Sequence, residues 1–147
     1  MREAVRAAVD PGCQGRSTDA GVLGMNAVPI YEGLLDEQAL ARLRELDPDG
    51  RHGVIKRVLT AFEASAVRLL ADMDGACRRG DHGPVGAAAH TLKSSSASIG
   101  ALALAEQCRI VEAAVRNGQV EQLVTMVDEL RREGQSALVA VRAMLLA

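Results

Sequence analysis

Apolar side chains recur every three or four positions along the chain from residue 34 onward, the spacing that places them on one face of an α-helix. In the first of these segments Leu35, Leu40 and Leu43 share one side, and Asp36 is suited to cap the start of the helix. Longer apolar stripes follow further along the chain. The pattern predicts five helices, over about 34–46, 51–79, 81–98, 101–117 and 120–146.

Short breaks separate these segments. The sequence "DPDG" occupies 47–50, "GD" occupies 80–81, Gly100 follows the third segment, and "NG" occupies 117–118. Short connections between long amphipathic helices favour antiparallel neighbours. We therefore expect an all-α fold, an antiparallel up-down four-helix bundle with a short leading helix, and no strands.

The first 33 residues differ from the rest. They are rich in Gly, Ser, Asp and Thr and have no sustained periodicity, although "REAVRAAV" is compatible with a short helix. We predict that residues 1–33 form a linker or flexible N-terminal tail and that residues 34–147 form the bundle domain.

The composition narrows the function classes. Hydrophobic residues make up 48% of the chain but aromatic residues only 1%, so that Ala, Val and Leu must fill the core, which suits helix-to-helix packing. The net charge is −2 and aromatic stacking platforms are missing, which argues against nucleic acid as a partner. No apolar run reaches the roughly 18–20 residues that span a bilayer. We expect no direct membrane contact and a cytoplasmic location.

The cysteines and the scattered histidines suggest neither a disulfide framework nor a metal site. Cys13, Cys77 and Cys108 are widely spaced and form no CxxC pair, which favours free thiols in a reducing compartment. His52 and His82 fall at helix boundaries or in loops, and we expect no metal to bind there.

One histidine lies in unusual surroundings, in the stretch "AAAHTLKSSSASIGA" at 87–101. At about 100° per residue, the residues opposite His90 should face the bundle; they are Val85, Ala88, Leu92, Ser95 and Ile99. The face of His90 itself is made of Gly83, Gly86, Ala87, Lys93, Ser94 and Ala97. Ordinary exposed helix faces carry Glu, Lys, Arg and Gln, so this bare face suggests that another protein approaches the imidazole closely. An indifferent surface histidine is the alternative.

Two further residues, Glu112 and Lys93, have side chains that could assist a nucleophilic histidine. His90 lies eleven residues before Ala101 and Glu112 lies eleven after it, so the two sit at similar heights on antiparallel helices. A carboxylate that accepts a hydrogen bond from Nδ1–H would leave Nε2 as the nucleophile. Lys93, one turn from His90, has an ammonium group that would suit a phosphoryl anion on Nε2. Read alone, Glu112 is equally compatible with a solvated acid on a helix flank, and Lys93 with a solubilising lysine.

These residues resemble the histidine-containing phosphotransfer (HPt) domain of bacterial phosphorelays. The family pattern is approximately His-x-Leu-Lys-Gly-Ser/Ala-Ser/Ala-x-x-hydrophobic-Gly-Ala, and residues 90–101 read "HTLKSSSASIGA". The resemblance extends over about 34–146, including "GD" before the histidine helix and "CRIVEAAVRNG" at 108–118.

The resemblance assigns roles to particular positions. His90 corresponds to the phospho-accepting histidine, and Lys93 to the lysine near the phosphoryl group. Gly100 matches the glycine that closes the histidine helix, and Glu112 falls where the family often places a Glu or Gln that hydrogen-bonds the imidazole. The position after the lysine is often Gly and here is Ser94, which we expect to alter receiver preference at most.

The function that the resemblance implies is that of a phosphoryl carrier without kinase activity of its own. The phosphoryl group would pass between His90 and aspartates of response-regulator receiver domains, and a hybrid sensor histidine kinase is a further candidate partner. The chain would need no cofactor of its own, because Mg²⁺ is expected on the receiver. This agrees with the missing G-x-x-x-x-G-K-[ST] motif. The expected docking face comprises Gly83, Gly86, Ala87, Ser94 and Ala97.

Two alternatives remain open at this point. The bundle could dock a receiver or kinase without any phosphorylation, or it could be the phosphodonor domain of a chemotaxis-type kinase. The chain is either free-standing or the C-terminal module of a membrane-bound hybrid kinase.

Overall fold

The computed structural model describes residues 34–146, and within this range it contains five α-helices and no strand. The helices are α1 (Glu37–Glu45), α2 (Val54–Arg78), α3 (His82–Ser98), α4 (Leu102–Arg116) and α5 (Leu123–Leu146). The predicted tail, residues 1–33, lies outside the described residues. Its boundary with the bundle domain therefore stays a prediction.

The four longer helices pack around a common core. Helix α2 contacts α3 and α5, while α4 contacts α3 and α5, so that each of the four has two neighbours in the ring. The short helix α1 lies against α2. Connections of a few residues reverse the chain between successive helices of the ring. The prediction of an all-α four-helix bundle with a short leading helix is confirmed.

The core consists of aliphatic side chains together with Phe62, Met73 and Cys108. The largest fully buried side chains come from all four long helices and from Ile99, which caps the end of α3: Leu59, Met73, Val85, Leu92, Ile99, Leu104, Val111, Leu123, Val127, Leu130, Leu138 and Val141. Small residues let the helices approach closely where they cross. At Gly134 on α5, an added Cβ would lie 2.8 Å from Cδ1 of Leu70 on α2. The few aromatic residues are thus compensated by close helix packing.

The buried face of α3 is rotated slightly from the predicted one. Ser95, predicted to face the bundle, is only half-buried, whereas Ala89 and Ser96 are fully buried. Ser98 is exposed, and its hydroxyl donates a hydrogen bond to the backbone oxygen of Ser94 (3.0 Å). The rotation follows from the position of α3 between α2 and α4, since both neighbours cover part of its surface.

The "DPDG" break is a structured turn that fixes where α2 begins. The carboxylate of Asp47 is buried and accepts hydrogen bonds from the backbone N–H groups of His52 (3.1 Å) and Val54 (3.2 Å). Burial raises the pKa of the Asp47 carboxyl, but these N–H donors outweigh it and leave the pKa below its ordinary value. Because residues up to Gly53 belong to this turn, α2 begins at Val54, three residues later than predicted.

Gly100 joins the end of α3 to the start of α1. Its φ of 85° lies in the left-handed region, and its backbone oxygen accepts a hydrogen bond from the N–H of Asp36 (2.7 Å). A Cβ at this position would lie 2.5 Å from the backbone nitrogen of Asp36. Asp36 in turn caps α1, as predicted, because its carboxylate accepts from the N–H of Ala39 (3.1 Å). The glycine is thus required both by conformation and by space.

Replacing Gly100 by alanine tests the second requirement. We expect Gly100→Ala to lower the free energy of unfolding by about 2–4 kcal/mol, because strain at positive φ adds to a collision with Asp36. Gly118→Ala is the matched control, since Gly118 has a φ of 70° but open space around it. It should lose only about 1 kcal/mol. Equal losses in urea unfolding would show that the contact with Asp36 has no energetic weight.

Candidate functional site

His90 lies in the middle of α3 with 65% of its side chain exposed. The residues one turn before it and next to it, Ala87 and Thr91, are exposed as well. The hydroxyl of Thr91 donates back to the backbone oxygen of Ala87 (3.2 Å), so it is occupied within the helix. The imidazole is therefore accessible to a large partner, in the outward direction that the helical spacing predicts.

Glu112 on α4 contacts the His90 ring. Its Oε2 lies 2.7 Å from Nδ1 of His90, and only 17% of the Glu112 side chain is exposed. An ionised carboxylate can only accept, so Nδ1 carries the hydrogen in this contact. The neutral ring then has its lone pair on Nε2. The two residues equidistant from the bend in sequence do meet across the α3–α4 pair.

Lys93 binds the same carboxylate. Its Nζ donates to Oε1 of Glu112 at 2.7 Å, and 34% of its side chain is exposed. The ammonium of Lys93 first, and the imidazole of His90 second, hold the pKa of the Glu112 carboxyl below its ordinary value. The structure thus brings His90, Lys93 and Glu112 together, with Glu112 between the other two.

An open depression of about 450 Å³ lies beside His90 between α3 and α4. It is lined by Gly83, Gly86, Ala87, His90, Thr91, Glu112, Val115 and Arg116. Arg116, which the sequence analysis missed, has 67% of its side chain exposed and its Nη1 3.9 Å from Oε2 of Glu112. The sequence could have predicted this contact, because Arg116 follows Glu112 by four residues and such residues share a helix face.

The predicted docking residues differ in exposure and in whether they line the depression beside His90. Gly83 and Ala87 are exposed and line the depression. Gly86 is half-buried under α4, where an added Cβ would lie 3.0 Å from Cγ1 of Val115, so this glycine also serves helix packing. Ser94 and Ala97 are exposed further along α3 and do not line the depression. A role of these residues in docking stays a prediction.

The described cysteines are unsuited to chemistry at this site. Cys108 is fully buried on α4, and this burial raises the pKa of its thiol to about 12. Cys77 is half-buried and its pKa is likewise raised by burial. Between residues 34 and 146, no three His, Cys, Asp or Glu side chains are grouped so as to hold a metal ion. In the same range, no helix has the length and apolarity to cross a membrane.

The fold and the site define a class of protein, a helical bundle that exposes a carboxylate-bound histidine on one helix face. The family model of the Hpt domain matches residues 57–144. Histidine-containing phosphotransfer protein 4 of Arabidopsis thaliana is 30% identical over 110 residues, which are 74% of this chain and 86% of the relative. The chain belongs to the histidine-containing phosphotransfer (Hpt) family.

Two further comparisons agree with this assignment. Histidine-containing phosphotransfer protein 2 of Arabidopsis thaliana is 35% identical over 85 residues, 55% of this chain and 54% of the relative. The crystal structure of histidine-containing phosphotransfer protein B from Pseudomonas aeruginosa PAO1 superposes with a TM-score of 0.68 at 24% identity. That match covers 76% of this chain and 94% of the Pseudomonas chain. At this identity the structural match supports the fold.

The lowered pKa of Glu112 makes a prediction about acid stability. An unfolded Glu112 takes up a proton near the ordinary pKa of 4.5, whereas the folded one does so only at lower pH. The stabilisation from its hydrogen bonds is therefore present at neutral pH and lost as the pH falls below 4.5. Wild type should be more stable than Glu112→Gln at pH 7, and the difference should shrink at about pH 3. Urea unfolding of both proteins at the two pH values measures this, and a constant difference would contradict it.

Proposed function

We propose that this protein carries a phosphoryl group on Nε2 of His90 between the aspartates of receiver domains in a phosphorelay. The observation that carries the proposal is the hydrogen bond from Nδ1 of His90 to Glu112 (2.7 Å) on an exposed face. This bond selects the tautomer whose Nε2 is nucleophilic. Membership of the Hpt family supports the same reaction.

The transfer step follows from that tautomer. The lone pair of Nε2 attacks the phosphorus of an aspartyl phosphate on the receiver, the bond from phosphorus to the aspartyl oxygen breaks, and the aspartate leaves as a carboxylate. No proton has to move, because Nδ1 keeps its hydrogen and continues to donate it to the carboxylate of Glu112. The phosphorylated ring then carries a positive charge, which the carboxylate of Glu112 offsets. The reverse sequence delivers the phosphoryl group to the next receiver.

The surroundings of His90 suit a phosphoryl carrier whose other catalytic groups are supplied by the receiver domain. We expect Mg²⁺ to be bound by the receiver and to offset charge on the transferred phosphoryl group. The depression beside His90 leaves room for a receiver active site, and Arg116 at its border offers a cation to an incoming anion. On this proposal the protein acts in the cytoplasm, has no kinase activity of its own, and takes its partners from receivers and hybrid sensor kinases.

Incubation with a receiver phosphorylated at its aspartate tests the role of His90. We expect radiolabel to move to the wild type and not to His90→Gln, because glutamine supplies no nucleophilic ring nitrogen. His82→Gln is the matched control, since it removes the histidine at the start of the same helix and should be labelled like wild type. Labelling of His90→Gln at the wild-type level would exclude His90 as the acceptor. A wild type that binds receivers without being labelled would support a docking module without chemistry.

The choice of phosphodonor separates a relay carrier from the phosphodonor domain of a chemotaxis-type kinase. We expect label to pass from phosphorylated receivers and back to receivers, since the proposed step is reversible and needs only an aspartyl phosphate. In a parallel reaction the protein is offered a chemotaxis-type kinase domain with ATP. Rapid labelling by that kinase, together with no uptake from any phosphorylated receiver, would contradict the relay assignment.

A further inference from the structure

Gly86 lies within α3, one turn before His90, where the backbone does not require a glycine. It is not among the described glycines with a positive φ. In ordinary helical conformation alanine is the better helix former, because glycine loses more backbone entropy on folding. The reason for a glycine at this position therefore lies in its surroundings rather than in its own conformation.

The neighbour that leaves no ordinary space for a side chain at Gly86 is Val115 on α4. An added Cβ would lie 3.0 Å from Cγ1 and 3.3 Å from Cβ of Val115, which is tighter than ordinary van der Waals contact. Val115 would have to move by a few tenths of an ångström to admit it. At Gly83, the preceding glycine of α3, an added Cβ would meet no atom within 4 Å. The close approach of α4 is thus particular to Gly86.

This close approach lies one turn from the contact between His90 and Glu112. Gly86 precedes His90 by four residues on α3, and Val115 follows Glu112 by three on α4, so each pair shares a helix face. Packed helices transmit strain, and a displacement at Val115 would also move Glu112. The distance from Oε2 of Glu112 to Nδ1 of His90 is 2.7 Å. A few tenths of an ångström more would bring it near the outer limit of a good hydrogen bond, about 3.2 Å.

From this arrangement we propose that the missing side chain of Gly86 sets the distance between α3 and α4 at which Glu112 reaches His90. Gly86 is a positioning residue that acts on the imidazole through Val115 and α4. The inference rests on the proposed function of His90. It adds to that function a packing contact on which the tautomer of the nucleophile depends.

The ring tautomer of His90 tests this contact without any phosphorylation. Nitrogen-15 chemical shifts at about pH 8.5, where an ordinary imidazole is neutral, report which ring nitrogen carries the hydrogen. We expect the Nδ1–H tautomer in wild type and a larger Nε2–H population in Gly86→Ala. The shift should be larger still in Gly86→Val, whose side chain needs more space. If Gly86→Val does not fold, Gly86→Ala decides. An unchanged tautomer population in the folded variants would overturn the proposal.

Labelling by two phosphodonors separates positioning from docking. A phosphorylated receiver has to dock beside Gly86, whereas phosphoramidate is a small molecule. In both reactions Nε2 of His90 forms a bond to phosphorus. The bond that breaks joins phosphorus to the aspartyl oxygen of the receiver or to the protonated nitrogen of phosphoramidate, which leaves as ammonia.

Both donors should label Gly86→Val about three- to tenfold more slowly than wild type, since a misplacement of about 1 Å can cost on the order of a hundredfold. A loss confined to the receiver would show that Gly86 serves docking alone and would overturn the proposal. A wild type that no phosphorylated receiver labels would contradict the proposed function instead, and the tautomer measurement would still decide the role of Gly86.

Val115→Ala is the compensating change, because it removes both γ-carbons that a side chain at Gly86 would meet. In this background Gly86→Ala should shift the ring tautomer less than it does in wild type. Equal shifts would contradict an action through Val115. Gly75→Ala is the matched control, since on α2 the added Cβ meets only the Arg79 side chain, at an ordinary 3.4 Å. It should leave the tautomer and both labelling rates unchanged.

Discussion

The carboxylate of Glu112 is the interaction on which the site depends. Because it lies on α4 and binds two residues of α3, it converts the packing of two helices into a fixed orientation of one imidazole. Neither helix could do this alone, since His90 and Lys93 are only one turn apart and have no acidic neighbour on their own face. The position of α4 along α3 therefore determines the hydrogen bonding of the imidazole. A shift of α4 would change the orientation and tautomer of His90.

Small residues set that position. A Cβ at Gly86 would make a tight contact of 3.0 Å with Cγ1 of Val115, so α3 and α4 lie close together beside the histidine. Gly100 plays a comparable part at the other end of α3, where its backbone bonds to Asp36 at the start of α1. The small residues of α3 thus explain two features: the surface around His90 without large side chains, and the close packing of α3 against α4. A helix with larger side chains could not provide both.

Much of this arrangement could be predicted from the sequence, and the failures have a physical pattern. Helical periodicity predicted five helices and the outward direction of His90, and equal distance from the bend predicted the height of Glu112. The contact of Asp36 with Gly100 was missed, because it joins residues distant in sequence. The partner of Lys93 could not be chosen either. From its position on the helix an ammonium can reach a carboxylate on α4 or an anion on the histidine, and only the positions of both helices decide between them.

Cys108 on the buried side of α4 can report the opening of this helix. Its thiol is fully enclosed and has a pKa of about 12, so it forms almost no thiolate in the folded state near neutral pH. Cys108 lies one turn before Glu112 on α4, and an alkylating reagent can reach it only when the packing around this part of α4 opens. The rate at which Cys108 is modified, divided by that of an exposed thiol, therefore reports the population of the opened state when closing is faster than alkylation. Because Cys108 and Glu112 are four residues apart on the same helix, an opening of α4 that exposes the thiol would also move the carboxylate relative to His90.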